Sequence, residues 1–282
     1  MQSSESKNTH KEYLLILKEY SPYDFSEYSD NSINRRIKKI MRDNNMSMHE
    51  LIYKTKTDPD FVEQVVEAIT VNTTELFRDP LVWKQIHQKV LPALKNNPKI
   101  NIWHAGCSTG QEVYSLIILL DNLNLLDKAD IYATDISKKA IEQAKKGIYC
   151  YNFNYEKYIS NFNKTFANQN NTEFEKYFDI DQAADTLSIK PKYLNRIKYI
   201  KHDLVKEQLP FYNKFDLIFC RNVLIYFNDS LQTKIVKRFH ENLFPGGTMI
   251  LGSHETINGF FKTKFAKNGQ VYSKTNTFHL TY

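Results

Sequence analysis

Ala105-Gly106-Cys107-Ser108-Thr109-Gly110-Gln111-Glu112 decides the fold of this chain. The run before it, Ile100-Asn101-Ile102-Trp103-His104-Ala105, reads as a strand, and residues 112 to 123 read as a helix. A strand that ends in a glycine turn and opens a helix is a general nucleotide-binding device, because backbone can approach a ligand closely at the glycines and the helix N-terminal amides point at it. The turn is not a P-loop, since Gln111-Glu112 stands where phosphate binding wants Lys-Ser/Thr, and it is not Gly-x-Gly-x-x-Gly. Glu112 would repel a pyrophosphate. It can accept from a ribose hydroxyl or attract a cationic amino-acid group, which favours a zwitterionic, sulfonium-bearing cofactor over a dinucleotide.

Outward from this turn, short β-rich runs alternate with helical stretches. They are Ile131-Tyr132-Ala133-Thr134, Ile197-Lys198-Tyr199-Ile200, Phe215-Asp216-Leu217-Ile218-Phe219-Cys220, Thr248-Met249-Ile250-Leu251 and a last run near Val271-Tyr272. The alternation predicts an α/β domain, a parallel sheet with helices on its faces. Asp135 ends the second run, where a carboxylate can accept from both ribose hydroxyls, and His202-Asp203-Leu204 follows the third, where adenine could be met. Residues 11 to 70 carry only helical spacing, with Asp58-Pro59 suited to a helix start. The expected division is a helical region over residues 1–75 and a Rossmann-like domain over residues 76–282. Residues 147–195 interrupt the rhythm with an aromatic-rich insertion, a candidate small β-subdomain.

The bulk composition narrows the classes. The chain has 282 residues, 41% hydrophobic and 25% charged, enough for a large core. No run of about 18 apolar residues and no secretory leader is visible, so a cytoplasmic protein without membrane insertion is expected. Cys107, Cys150 and Cys220 are odd in number and widely spaced, and read as reduced core fillers. The eight histidines show no ligand spacing, so no metal is expected. A net charge of +6 is too mild to indicate nucleic acid.

Four blocks resemble the CheR-type chemotaxis receptor glutamate methyltransferases. They are Asn72-Thr73-Thr74-Glu75-Leu76-Phe77-Arg78-Asp79, the segment from Ala105 through Ser115, Phe215-Asp216-Leu217-Ile218-Phe219-Cys220-Arg221-Asn222-Val223-Leu224-Ile225-Tyr226-Phe227, and Phe244-Pro245-Gly246-Gly247. The resemblance covers most of the chain, and the Cys-Arg-Asn-Val-x-Ile-Tyr-Phe block is specific. It implies a Rossmann-like S-adenosylmethionine-dependent methyltransferase domain behind a small all-helical N-terminal domain. It also implies transfer of methyl to glutamate carboxylates of chemotaxis receptors, giving glutamyl methyl esters and S-adenosylhomocysteine.

By the same resemblance, cofactor contacts fall on Asn72, Thr74, Arg78, Glu112, Asp135, Asp203, Leu204, Arg221 and Asn222, beside Gly106 of the turn. Arg78 and Tyr226 would lie nearest the transferred methyl. Asp79-Pro80 reads as an N-cap and first helical residue for residues 81 to 90, which leaves Asp79 out of the site. The cations Arg35, Arg36, Lys38, Lys39 and Arg42 share a helix with the apolar Ile33, Ile37, Ile40 and Met41. Such a run is usually a solvated face. The resemblance gives it a partner instead, the acidic coiled coil of a methyl-accepting receptor, met by a monomeric enzyme.

Two departures stand out. No glycine occurs from Ile148 through Pro245, where relatives carry a glycine-containing β-hairpin, and Gly252-Ser253-His254-Glu255 replaces the frequent Gly-His-Ser-Glu. A nucleic-acid base methyltransferase is disfavoured by Arg221-Asn222-Val223 after the fourth strand, where amino-methylating enzymes carry Asn/Asp-Pro-Pro-Tyr/Phe. A CheR-like enzyme acting on another protein is the remaining alternative.

Overall fold

The computed structural model describes residues 2–70, 73–167, 173–206, 208–211 and 214–275. Four helices come first: α1 (Gln2–Tyr20), α2 (Asp30–Asp43), α3 (Met48–Thr57) and α4 (Pro59–Ile69). The starts of α3 and α4 have local causes. Ser47 and Glu50 form a reciprocal capping box at α3, and the Asp58 carboxylate accepts from the Phe61 amide at α4, with Pro59 in the first turn. Ile33, Ile37 and Ile40 make one buried stripe on α2, which leaves the cations to the other faces.

A connector follows, with α5 (Pro80–Gln85), a π-helical turn (Ile86–Val90) and α6 (Leu91–Ala93). The main body then runs β1 (Ile100–Ala105), α7 (Gln111–Asn122), β2 (Ala129–Asp135) and α8 (Lys138–Lys146). After these come β3 (Ile148–Cys150), α9 (Tyr151–Thr165), β4 (Phe178–Asp181), β5 (Thr186–Ile189) and α10 (Pro191–Leu194). The chain continues through β6 (Ile197–Lys201), β7 (Phe215–Cys220), α11 (Asp229–Asn242), β8 (Leu243–Leu251), β9 (Phe265–Asn268) and β10 (Val271–Lys274).

Seven strands form one sheet in the order β6-β2-β1-β7-β8-β10-β9. The first five are parallel, and β10 runs antiparallel to both β8 and β9. The chain winds outward from β1 in both directions, so order reverses between β1 and β7, and the crevice beyond their carboxyl ends is where such sheets hold ligands. Every residue of β7 is buried, which is why its sequence is apolar on both faces rather than alternating, apart from Asp216, whose carboxylate accepts from the Asn101 amide at 2.8 Å and Asn97 Nδ2 at 3.1 Å.

The aromatic-rich segment is structural. β3, β5 and β4 form a separate antiparallel sheet, and α9 packs over it. The rings of Phe162, Phe174, Tyr177 and Phe178 are buried in its core, with Phe174 and Phe178 stacked at 4.5 Å. The hairpin between β4 and β5 forms without glycine because Asp185 takes the left-handed conformation, φ 54°, which Asp tolerates better than most residues. The cysteine reading needs one correction: Cys107 and Cys220 are buried, but Cys150 is exposed at the end of the short β3. Among the described residues no helix is long and apolar enough to cross a membrane, and no group of three or more His, Cys, Asp or Glu is placed to hold a metal.

The helical region is anchored against the sheet's carboxyl end. Ser29 donates its amide to the Tyr226 carbonyl at 2.8 Å, and Asn228 donates to the Glu27 carbonyl at 2.9 Å. Lys139 pairs with Glu67 at 3.0 Å, and Lys201 with Glu63 at 3.2 Å. One hydrophobic cluster runs unbroken from Tyr13 and Ile37 to Trp103 and Phe215.

Candidate functional site

The β1 turn is strained in a way that only its sequence permits. Gly106 has φ 86°, and a Cβ there would lie 2.5 Å from Val223 Cγ2, so only glycine lets the turn lie this close under the Val223 side chain. Ser108 and Asn222 also have positive φ, 50° and 61°, beside the same crevice. Phe77, φ 50°, is unusual for so bulky a residue. Its amide donates to Ser115 Oγ at 2.8 Å and its ring packs edge-on against Trp83, which holds the following residue, Arg78, at the cleft.

The structure brings Thr74, Arg78, Gly106, Glu112, Asp135, Asp203, Leu204, Arg221, Asn222 and Tyr226 onto the walls of a single cleft. Asn72 lies outside the described residues. The same walls hold Ser108 of the glycine turn and His202 beside Asp203, and residues that the sequence reading missed, among them Tyr28, Thr70 and Ile136. Tyr28 had no signal of its own, because it sits in the loop between α1 and α2, far from any recognised motif.

Asp135 ends β2 and is buried. Its two oxygens accept from the amides of Ser108 at 2.8 Å and Ser137 at 2.9 Å, which leaves a lone pair on each. Burial pushes its carboxyl up, against the pull of those amides. Asp203 is pushed up by burial as well, and only one of its oxygens is used, by the Val205 amide at 2.9 Å. Asp203 Oδ2, Ser108 Oγ and His202 Nδ1 are buried with no hydrogen-bond partner among the described residues. Native interiors rarely leave such atoms unpaired. Two acceptors and a hydroxyl on the walls of one cleft fit an adenosine moiety, whose ribose hydroxyls and adenine amino group are donors.

At the other end of the cleft, Glu112 is fixed from two sides. His104 Nδ1 donates to Oε1 at 2.8 Å, and Arg221 Nη1 approaches Oε2 at 3.4 Å. The Arg221 side chain is 2% exposed, lies over the Trp83 ring and donates through Nη2 to the Arg78 carbonyl at 2.8 Å. Its remaining partner corrects the expectation for Asp79. That residue has φ 61° and does not cap α5; its carboxylate takes Arg221 Nη2 at 2.9 Å instead. A buried guanidinium needs such a partner, and this demand outweighs a helix cap worth about 1 kcal/mol.

The loop of Arg221 to Tyr226 is held from beneath by Glu255. Its Oε2 accepts from the Asn222 amide at 2.8 Å and the Gly252 amide at 2.7 Å, and Oε1 from the Ile225 amide at 3.3 Å. This also accounts for the rearranged Gly252-Ser253-His254-Glu255. The two exchanged positions, 253 and 254, are exposed, while Gly252 and Glu255 are buried. Burial raises the Tyr226 hydroxyl above its ordinary value, with the positive charges of Arg36, Arg78 and Arg35 pulling the other way. Of the other cations in the run, Lys39 and Arg42 both pair with Asp43, while Lys38 is exposed.

A Rossmann-like sheet with carboxylates at two strand ends, a glycine turn and a carboxylate-guanidinium pair in one crevice defines the class of S-adenosylmethionine-dependent methyltransferases. Comparison with known proteins narrows the class. Residues 72–272 match the CheR methyltransferase, SAM binding domain, and residues 11–70 match the CheR methyltransferase, all-alpha domain. A putative methyltransferase Cher3 of Pseudomonas putida is 34% identical over 257 residues, covering 89% of this chain and 91% of that protein. Chemotaxis protein methyltransferase 1 of Pseudomonas aeruginosa is 32% identical, covering 80% and 82%, and the chemotaxis protein methyltransferase of Listeria monocytogenes is 29% identical, covering 90% and 97%. The chain belongs to the CheR methyltransferase family.

Proposed function

We propose that the protein transfers a methyl group from S-adenosylmethionine to glutamate side chains on the cytoplasmic coiled coil of a chemotaxis receptor. The observation that carries this reading is that Arg78 and Tyr226 line one cleft with the strand-end carboxylates, while Arg35 and Arg36 of α2 lie near enough to act on the charge of the Tyr226 hydroxyl, on a chain of this family. A carboxylate substrate is met there by cations, and the chemotaxis names of the relatives supply the receptor.

Asp135 and Asp203 would hold the ribose and adenine, and Glu112 the ammonium of the methionine end. When bound, the cofactor supplies an electrophilic methyl on a sulfonium. A glutamate carboxylate, with an ordinary pKa of about 4.3, is already ionised at neutral pH, so no general base is needed. Tyr226 keeps its proton, because burial raises its pKa, and serves as a hydrogen-bond donor that orients the incoming carboxylate. Arg78 draws the same carboxylate inward. Alignment and exclusion of water then account for the rate. Strong pairing of the carboxylate would slow transfer, since its charge is lost in the transition state, and half-exposed arginines suit that requirement better than a buried one.

The reading is tested by incubating the protein with methyl-labelled S-adenosylmethionine and membranes of its own cell. Base-labile, volatile label in a receptor-sized band supports it. Alkali-stable label, or label in RNA, overturns it.

A further inference from the structure

The cleft is closed on one side by a residue that does not belong to the sheet domain. Tyr28 sits in the loop between α1 and α2 and lines the cleft with the strand-end carboxylates. It is held from both directions: its backbone makes an antiparallel bridge with Phe227, and the adjacent Ser29 amide donates to the Tyr226 carbonyl at 2.8 Å. Its ring packs edge-on against Phe25 at 4.8 Å and Phe227 at 4.9 Å.

Packing of this kind would be satisfied by phenylalanine. The residue is only 8% exposed, and yet its hydroxyl makes no hydrogen bond among the described residues. Unlike the sealed, unpaired hydroxyls of Tyr177 and Tyr193, the Tyr28 oxygen opens onto the cleft that the residue lines, and an unused donor on the wall of a polar cleft points to a ligand. Burial and the nearby carboxylates of Asp203 and Asp135 push its acidity well down, so the hydroxyl keeps its proton and remains a donor.

We propose that Tyr28 is a cofactor-contacting residue, its hydroxyl hydrogen-bonding the adenosine part of S-adenosylmethionine beside Asp135 and Asp203. The inference rests on the cofactor assignment made above. The cofactor pocket is then built from both regions of the chain, and the loop that completes it leads directly into α2, the helix that carries Arg35, Arg36, Lys38, Lys39 and Arg42. Anything that shifts α2 changes the pocket wall two residues away.

Titration calorimetry with S-adenosylhomocysteine tests this without any methyl acceptor. Wild-type protein should bind with a stoichiometry near one, Asp203→Asn should bind weakly, and Tyr28→Phe should bind about three- to tenfold more weakly at unchanged stoichiometry, the loss of one hydrogen bond. A Tyr28→Phe affinity within about 1.5-fold of wild type, with Asp203→Asn still impaired, overturns the role of Tyr28 and leaves the cofactor reading standing. So does a reduced stoichiometry at unchanged affinity, since that reports a purely structural ring. Absence of binding by wild-type protein overturns the cofactor reading and this inference with it.

Discussion

Replacing Glu255 by alanine should destabilise the protein and disable its site together. The carboxylate is 5% exposed and accepts three backbone amides, two at 2.7 and 2.8 Å and one at 3.3 Å. Each orphaned buried amide costs about 1–3 kcal/mol, and the long bond counts least. Against this, the variant no longer buries a carboxyl that burial already pushes above its ordinary value. The net expectation is a loss of about 2–5 kcal/mol. Glu255→Gln keeps a carbonyl oxygen for the two short bonds and should lie within about 1–2 kcal/mol of wild type. The functional consequence follows from Asn222, whose left-handed backbone is held by this contact; once released, Asn222 and Tyr226 leave their places on the cleft wall. Urea unfolding followed by circular dichroism, and calorimetry with S-adenosylhomocysteine, would read the two effects. If Glu255→Ala unfolded within about 1 kcal/mol of wild type and bound the product normally, Glu255 would not be what positions the loop.

Other outcomes follow from the same geometry. Arg78→Ala and Tyr226→Phe should slow single-turnover methyl transfer by about tenfold or more, and rates within twofold of wild type for both would remove them from the reaction. Reversing Arg35, Arg36 and Lys39 to glutamate should raise KM for receptor with product affinity unchanged, whereas parallel loss of product binding would mean that the fold had been damaged. Asp135 and Asp203 both have carboxyls raised by burial, and donors on the adenosine favour their charged forms. Product affinity should therefore fall as pH drops through those raised values and level off above them, and Asp203→Asn should flatten the profile; affinity independent of pH between about 4 and 8 would contradict the assignment. The fold itself has the opposite dependence. With folded values above unfolded ones, the stability these two groups contribute is full below about pH 4 and declines as pH rises through the raised values.

Local rules made much of this protein legible. The strand-turn-helix at residues 100 to 123, the apolar run of β7 and the cap at Asp58 are dictated by neighbours within a few residues, and each is found where its sequence places it. The insertion was legible as an interruption and a candidate small β-subdomain, but its pairing was not, because β3 meets β5 across about 40 residues of sequence and the β4–β5 turn uses Asp185 in place of glycine. Asp79 was misread for a related reason. A local signal for a helix cap competes with a buried arginine more than 140 residues away, and only the folded chain brings the two within 2.9 Å.

The sequence by itself determined an α/β chain behind a helical region, the glycine turn, and carboxylates at the ends of its strands, because periodicity and turn chemistry act at short range. Tertiary structure alone decided that Asp79 and Glu112 share one guanidinium, that Glu255 carries the loop of Asn222 and Tyr226, and that Tyr28 closes the cleft. Those relations are fixed by the cost of burying an unpaired charge, amide or hydroxyl, and that cost arises only when distant segments exclude water from one another.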